Sequence, residues 1–263
     1  MARRILITSG KGGVGKTTLC ANLGACLANN GYRVCLLDMD FGLNNLDVIL
    51  GIENRINYDI IDAISNKCRV KQALIETDVK NLYAITCLKS YEKCNVGGQS
   101  VKLIVETIAP TFDYILVDCP AGIGENFHRA VAVCDEAICV TTSQITSIRD
   151  SDKVISLLRG YSLKNIFVVL NKVRGDLIID KLCPSPLEIE GVLKAKLIGC
   201  VPDSDQMFLC LGGNLPTNCQ AYKSIKRLAR NISCGEDKLY DCTKSYSGIF
   251  GKIKRKLKRA WKK

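Results

Sequence analysis

Gly10-Lys11-Gly12-Gly13-Val14-Gly15-Lys16-Thr17-Thr18 matches the spacing G-x-x-x-x-G-K-[ST], directly after a short aliphatic run and before a helical pattern through Leu19, Leu23 and Leu27. Glycines at 10, 12, 13 and 15 let the backbone bend tightly and turn successive N–H groups toward one anion. The start of the following helix adds a favourable partial positive charge. The ligand that fits such a cradle is a phosphate chain. Lys16 would bridge its β- and γ-phosphates, and the Thr17 hydroxyl would ligate Mg2+. Two acidic segments complete the set. The aliphatic run Val34–Leu37 delivers Asp38 and Asp40, and Tyr114-Ile115-Leu116-Val117 ends in Asp118. An apolar strand closed by aspartate is a Walker B arrangement, whose carboxylate helps hold the water shell of Mg2+.

These groups must be carried to one edge of a sheet. Short apolar, β-branched runs alternate with helical patterns: Ile5-Leu6-Ile7, Val34–Leu37, Leu82–Ile85, Tyr114–Val117, Ala137–Val140, Ile166–Leu170 and Leu197–Val201. They are apolar at consecutive positions, as strands buried on both faces are. The rhythm predicts an α/β fold, a doubly wound, mostly parallel sheet flanked by helices, as in P-loop NTPases. In such a sheet, carboxylates at strand C-terminal ends lie on the ligand-binding edge. The ATPase domain is expected over residues 1–233. The polar stretch 234–247 reads as a flexible linker, and 248–263 as a separate amphipathic helix.

With 263 residues, 47% hydrophobic and 24% charged, the chain has an ordinary globular balance. It contains no run of ~18 apolar residues and no cleavable signal pattern at its start, which predicts a cytosolic chain without a spanning helix. Fifteen cysteines without a Cys-x-x-Cys pair are expected to be reduced, packing as small hydrophobes. His128, the one histidine, has no triad partners in sequence and reads as structural. The formal charge of +11 is unevenly placed, because residues 248–263 hold eight Lys/Arg and no acid. A basic tail, not a basic domain, sets the charge, so nucleic acid is not an expected partner.

Lys11 distinguishes this loop from a plain phosphate loop. Lys11–Thr17 carries K-G-G-x-G-K-[ST], and by it the chain resembles the deviant Walker A (ParA/MinD) family of P-loop ATPases. That resemblance implies an ATP- and Mg2+-dependent ATPase with Gly10–Thr18 around the nucleotide. It implies that Lys11 reaches across a dimer interface to the partner's nucleotide, so that Lys11, Lys16 and Asp40 share the catalysis. Asp38–Asp47 resembles the D-x-D-x-G-L-x-N-L-D segment of the MinD branch. There Asp40 would position the attacking water, Asp38 would join Thr17 and Asp118 near the metal, and Asn45 would lie in a mobile switch. Pro120-Ala121-Gly122 resembles the second switch, although this chain has Gly124 and then Glu125 where the branch commonly has Glu after Gly-Ile. Arg149, Asp150, Ser151 and Asp152 resemble its V-R-D-S-D segment, which lies at the dimer and partner surface. By the same resemblance Asn171 would bond the adenine edge, with Pro202 and Asp203 beside the ring.

On a helical wheel the tail places Ile249, Phe250, Ile253, Leu257, Ala260 and Trp261 in an arc of about 120°, with every Lys and Arg outside it. Sixteen residues reach roughly 24 Å, so such a helix lies in an anionic bilayer interface without crossing it. One copy would bind marginally, and two held together by an ATP-closed homodimer far better. The expected protein is an ATP switch between the cytoplasm and the inner face of the cell membrane. The resemblance implies that it positions the division septum with a MinC-like division inhibitor and with MinE or another topological regulator. A FlhG-like flagellar-number ATPase and a ParA-type DNA-partitioning ATPase share the same domain. The acidic-segment and Arg149–Asp152 matches favour septum placement over the first, and the amphipathic tail disfavours the second.

Overall fold

The computed structural model describes residues 2–41, 45–87, 97–209 and 215–260, the side chains of 208–209 and 257–260 excepted. Its strands are β1 (Arg3–Thr8), β2 (Val34–Asp38), β3 (Ile75–Glu76), β4 (Leu82–Ile85), β5 (Tyr114–Asp118), β6 (Glu136–Thr141), β7 (Asn165–Val173) and β8 (Lys196–Pro202). Each aliphatic run named above lies in one of them. The sheet order is β3-β4-β2-β5-β1-β6-β7-β8. All pairings are parallel except that of the short edge strand β3 with β4, an element with no periodic signal in the sequence. The expected doubly wound α/β architecture is the one observed.

The helices are α1 (Lys16–Asn29), α2 (Leu46–Leu50), α3 (Ile60–Ile64), α4 (Gly98–Ile108), α5 (Glu125–Val131) and α6 (Ile145–Leu158). Then follow α7 (Gly175–Ile179), α8 (Pro186–Leu193), α9 (Asp205–Leu209), α10 (Gln220–Cys234) and α11 (Gly248–Ala260). Alternation along the strands divides the core in two: Leu6, Cys35 and Leu37 enter one buried cluster, Ile5, Ile7 and Leu36 the other. Helices cover both faces, which is why the strands carry apolar residues at consecutive positions. After β1 the chain moves to β2 on one side, and later to β6 on the other. The crevice at this reversal opens at the C-terminal ends of the strands, where the phosphate loop follows β1.

The described cysteines form no disulfide. Burial pushes the thiols of Cys26, Cys119, Cys139 and Cys200 up to about 12, so they stay neutral inside the core. They pack as the sequence suggested.

The segment expected as a flexible linker is instead seated on the domain. Asn231, buried on α10, donates to the carbonyls of Ile198 (2.8 Å) and Lys238 (2.9 Å). Lys196 pairs with Asp237 at 3.0 Å and Arg227 with Glu236 at 3.2 Å. Cys242 is buried in the core, with Leu239 and Tyr240 packed beside it. These three apolar side chains, spaced among polar ones, supply the anchorage that an average over the stretch conceals. No helix among the described residues is long and apolar enough to cross a membrane. On α11, Ile249, Phe250 and Ile253 are exposed, while the Leu257 side chain and Trp261 lie outside the described residues.

Candidate nucleotide site

The loop after β1 is shaped by left-handed glycines, Gly13 at φ +74° and Gly15 at φ +91°, a region that L side chains rarely adopt. Gly15 is the N-cap of α1 and offers no capping side chain. The first N–H groups of α1 therefore remain available to an anion. Ser9 Oγ donates to the Lys11 carbonyl at 2.8 Å, and the Gly122 N–H donates to the Ser9 carbonyl at 3.2 Å. The expected second switch is thus tied to the base of the loop. Gly122 itself has φ +90°.

Gly10 holds the loop against α6. A Cβ there would meet the Asp150 carbonyl carbon at 2.3 Å and the Ser151 nitrogen at 2.7 Å, both rigid backbone atoms. Gly10→Ala is therefore expected to lower stability by about 1–3 kcal/mol, seen as a lower urea midpoint with unchanged slope. An unchanged midpoint would show that the two segments have room to part.

Asp38 and Asp118 stand opposite each other at the ends of neighbouring strands β2 and β5, and both are buried. Burial pushes the Asp118 carboxyl up to about 7, opposed by a Thr17 hydrogen bond and the Lys16 ammonium. Asp38 is raised well above the usual range by burial and by the neighbouring Asp118, although the Asp40 N–H donates to its Oδ1 at 2.9 Å. Asp38 Oδ2 and Asp118 Oδ1 are buried without a hydrogen-bond partner. Two adjacent orphaned carboxylate oxygens beside a threonine hydroxyl form a hard oxygen donor set, which a Mg2+ ion fits.

A cavity of about 600 Å³ is lined by Gly12, Gly13, Gly15, Lys16, Thr17 and Thr18 of the loop. Asp40, Asn45, Pro120 and Ala121 form its opposite wall. Asp38 ends β2 and Asp118 ends β5, and the sheet order makes these two strands neighbours. Asn45 is also the N-cap of α2, and Glu125 opens α5 and pairs with Arg129 at 2.9 Å.

A second cavity, about 440 Å³, shares Gly13, Gly15 and Thr18 with the first and is closed by Asn171, Lys172, Pro202, Asp203 and Met207. The three residues expected around a base therefore line one wall. Asn171 is buried, and its Nδ2 donates to the Val14 carbonyl at 2.8 Å. One of its two amide N–H groups is thus engaged on the loop, and the carbonyl oxygen is an acceptor for a base edge. Such an acceptor suits the exocyclic amine of adenine and opposes the O6 of guanine. Lys172 was not anticipated. It sits at φ +54° in the irregular end of β7, and its Nζ donates to the Gly13 carbonyl at 2.7 Å. Its sole sequence signal is a cation directly after Asn171.

Lys11 is exposed, lines neither cavity, and reaches the Thr146 hydroxyl of α6 at 3.4 Å. Arg149 and Asp152 are exposed, Asp150 is half-buried, and Ser151 is buried. Helical periodicity turns Ser151 into the core and leaves Arg149, Asp150 and Asp152 on the outward side of this run. His128 contacts the Tyr161 hydroxyl, away from both cavities.

Fold and cradle together define a P-loop nucleotide-binding protein, and residues 5–213 match the CobQ/CobB/MinD/ParA nucleotide binding domain. The septum site-determining protein MinD of Synechocystis sp. is 36% identical over 263 residues, 98% of this chain and 99% of that protein. That of Bacillus subtilis is 37% identical over 261 residues, 97% of each. A chain of the MinC:MinD cell division protein complex of Aquifex aeolicus matches with a TM-score of 0.82 at 36% identity, covering 90% of this chain and 98% of that one. The chain belongs to the MinD family. This family is one of ATPases that use ATP with Mg2+.

Proposed function

We propose that this chain is an ATP-hydrolysing dimerisation switch that binds the inner face of the cell membrane peripherally and positions the division septum by recruiting a MinC-like inhibitor. The observation that carries the proposal is the convergence of Lys16, Thr17, Asp40, Asn45 and the second switch on one cavity, with the orphaned Asp38–Asp118 pair at the ends of β2 and β5. The loop N–H groups and Lys16 bind the β- and γ-phosphates. Thr17, Asp38 and Asp118 would hold Mg2+, which when bound neutralises charge on the phosphate oxygens. Asp40 orients the attacking water and accepts its proton. Asn171, Pro202 and Asp203 hold the adenine.

Lys11 is exposed and held by a single long contact, so it can serve a second copy of the chain closed over the same nucleotide. Closure would place two α11 helices side by side and raise membrane affinity through effective concentration. A topological regulator, MinE or another, would act on the turnover step. The Aquifex complex supports the division inhibitor as partner.

The test is co-sedimentation with vesicles of phosphatidylglycerol and phosphatidylcholine, comparing ATP with ADP, for the full chain and for one ending at Ser247. Binding promoted by ATP and lost on truncation is the expected outcome. Binding indifferent to nucleotide, or surviving truncation, would overturn the membrane switch and make DNA the next partner to test.

A further inference from the structure

The residues around Tyr246 hold α11 by one side. Gly251 is buried there, and a Cβ at that position would meet the Tyr246 carbonyl carbon and oxygen at 2.2 Å. One turn on, Arg255 donates to the Tyr246 carbonyl and pairs with Asp180, at the C-terminal end of α7, at 3.4 Å. Lys254 lies over the Tyr246 ring with its ammonium 4.9 Å from the centroid. Tyr246 is itself fixed, its N–H donating to the Thr243 carbonyl at 2.8 Å, and Gly175 of α7 presses on the carbonyl of Cys242. The contacts join the helix to the ATPase domain through a segment already packed on its core.

The side used for these contacts matters. At 3.6 residues per turn, Gly251 and Arg255 lie roughly 170° around the helix from the centre of Ile249, Phe250 and Ile253. Those three are 78%, 88% and 52% exposed. A helix docked on its own domain to hide its apolar side would show the reverse, with the aliphatic residues inward and the cations outward.

The geometry points to a seat, built from Tyr246 and Asp180, that holds α11 by its polar back and fixes its apolar stripe away from the ATPase domain toward an anionic bilayer. The bilayer part of this inference rests on the function proposed above. The seat itself does not. The ATPase domain then stands directly over the helix instead of swinging on a tether. Two seated helices in a closed dimer would meet the membrane at one fixed separation.

Gly251→Ala separates a seated helix from a tethered one, because it acts with opposite sign on each. In a tethered helix, removing an interior glycine favours the helical state about fivefold, and the apolar stripe is untouched, so vesicle binding would rise. In a seated helix the new Cβ strikes Tyr246, and ATP-dependent co-sedimentation should fall about threefold or more as the fixed pair separation is lost. ATP turnover in solution should be retained, because Gly251 lines neither cavity of the nucleotide site.

A second arm needs no membrane. The chain has one tryptophan, Trp261, so Trp261→Phe with Lys256→Trp places a single reporter on the exposed side of α11. Its nanosecond anisotropy decay should follow tumbling of the whole chain. Adding Gly251→Ala, or Asp180→Asn, should introduce a fast local component. A fast component already dominant in the reporter chain, or vesicle binding that rises with Gly251→Ala, would overturn the seat. Failure of the native chain to bind vesicles with any nucleotide would instead overturn the membrane reading, and the anisotropy arm would still decide the seat.

Discussion

Lys16→Ala is expected to abolish ATP turnover and to weaken nucleotide binding by about 10²–10⁴-fold. A hydrogen bond to a charged group contributes about 1.5–3 kcal/mol, and Lys16 is placed to make two, one to each terminal phosphate. It is buried and lines the larger cavity beside the loop glycines. Its ammonium is one of the groups that hold the Asp118 carboxyl down against burial. Without it, two buried carboxylates face the phosphate chain with less positive charge nearby, so repulsion adds to the lost bonds. Equilibrium binding of a fluorescent ATP analogue, with phosphate release in parallel, checks the result. Turnover at the parent rate would remove Lys16 from the site.

Asp40→Ala is expected to separate binding from chemistry. Phosphate release should fall about 10²–10⁴-fold, the usual contribution of a positioned base, while ATP binding and ATP-dependent dimerisation persist. The reason lies in which atoms of Asp40 are used where. Its contact with Asp38 is made by the backbone N–H at 2.9 Å, which alanine retains. Its carboxylate, by contrast, lines the phosphate cavity and raises the titration of both Asp38 and Asp118. Removing that charge relieves repulsion around the cation donors, so binding should not suffer. Size-exclusion chromatography with ATP should show a persistent dimer, and the same variant should remain on vesicles where the parent chain is released. Parent-rate turnover would mean that another group orients the water.

The local chemistry of the site was legible in the chain itself. A glycine-rich loop between a strand and a helix, and two apolar runs each ended by aspartate, are short-range patterns whose physics needs only neighbours in sequence. The strands were legible for the same reason, since residues buried on both faces must be apolar at consecutive positions. The edge strand β3 was not, because two residues at the border of a sheet need no periodicity of their own.

Other features exist only once distant residues meet. Asp38 and Asp118 stand together because β2 and β5 are neighbours in register. Asn171 and Lys172 are committed to the loop carbonyls of Val14 and Gly13, more than 150 residues away, and that commitment ties the end of β7 to the phosphate loop. Gly10 is required because α6 passes close behind it, and Ser151 is inward because a helix turns it so. The stretch before α11 reads as polar on average, yet Leu239, Tyr240 and Cys242 pin it to the core, and Tyr246 then holds the terminal helix by its back. By itself, the sequence determined which residues are candidates for phosphate, metal and membrane chemistry, because side-chain type and local spacing suffice for that. Which atoms are already engaged and which way the helix faces were decided by tertiary structure alone, because both follow from close approaches between segments far apart in the chain.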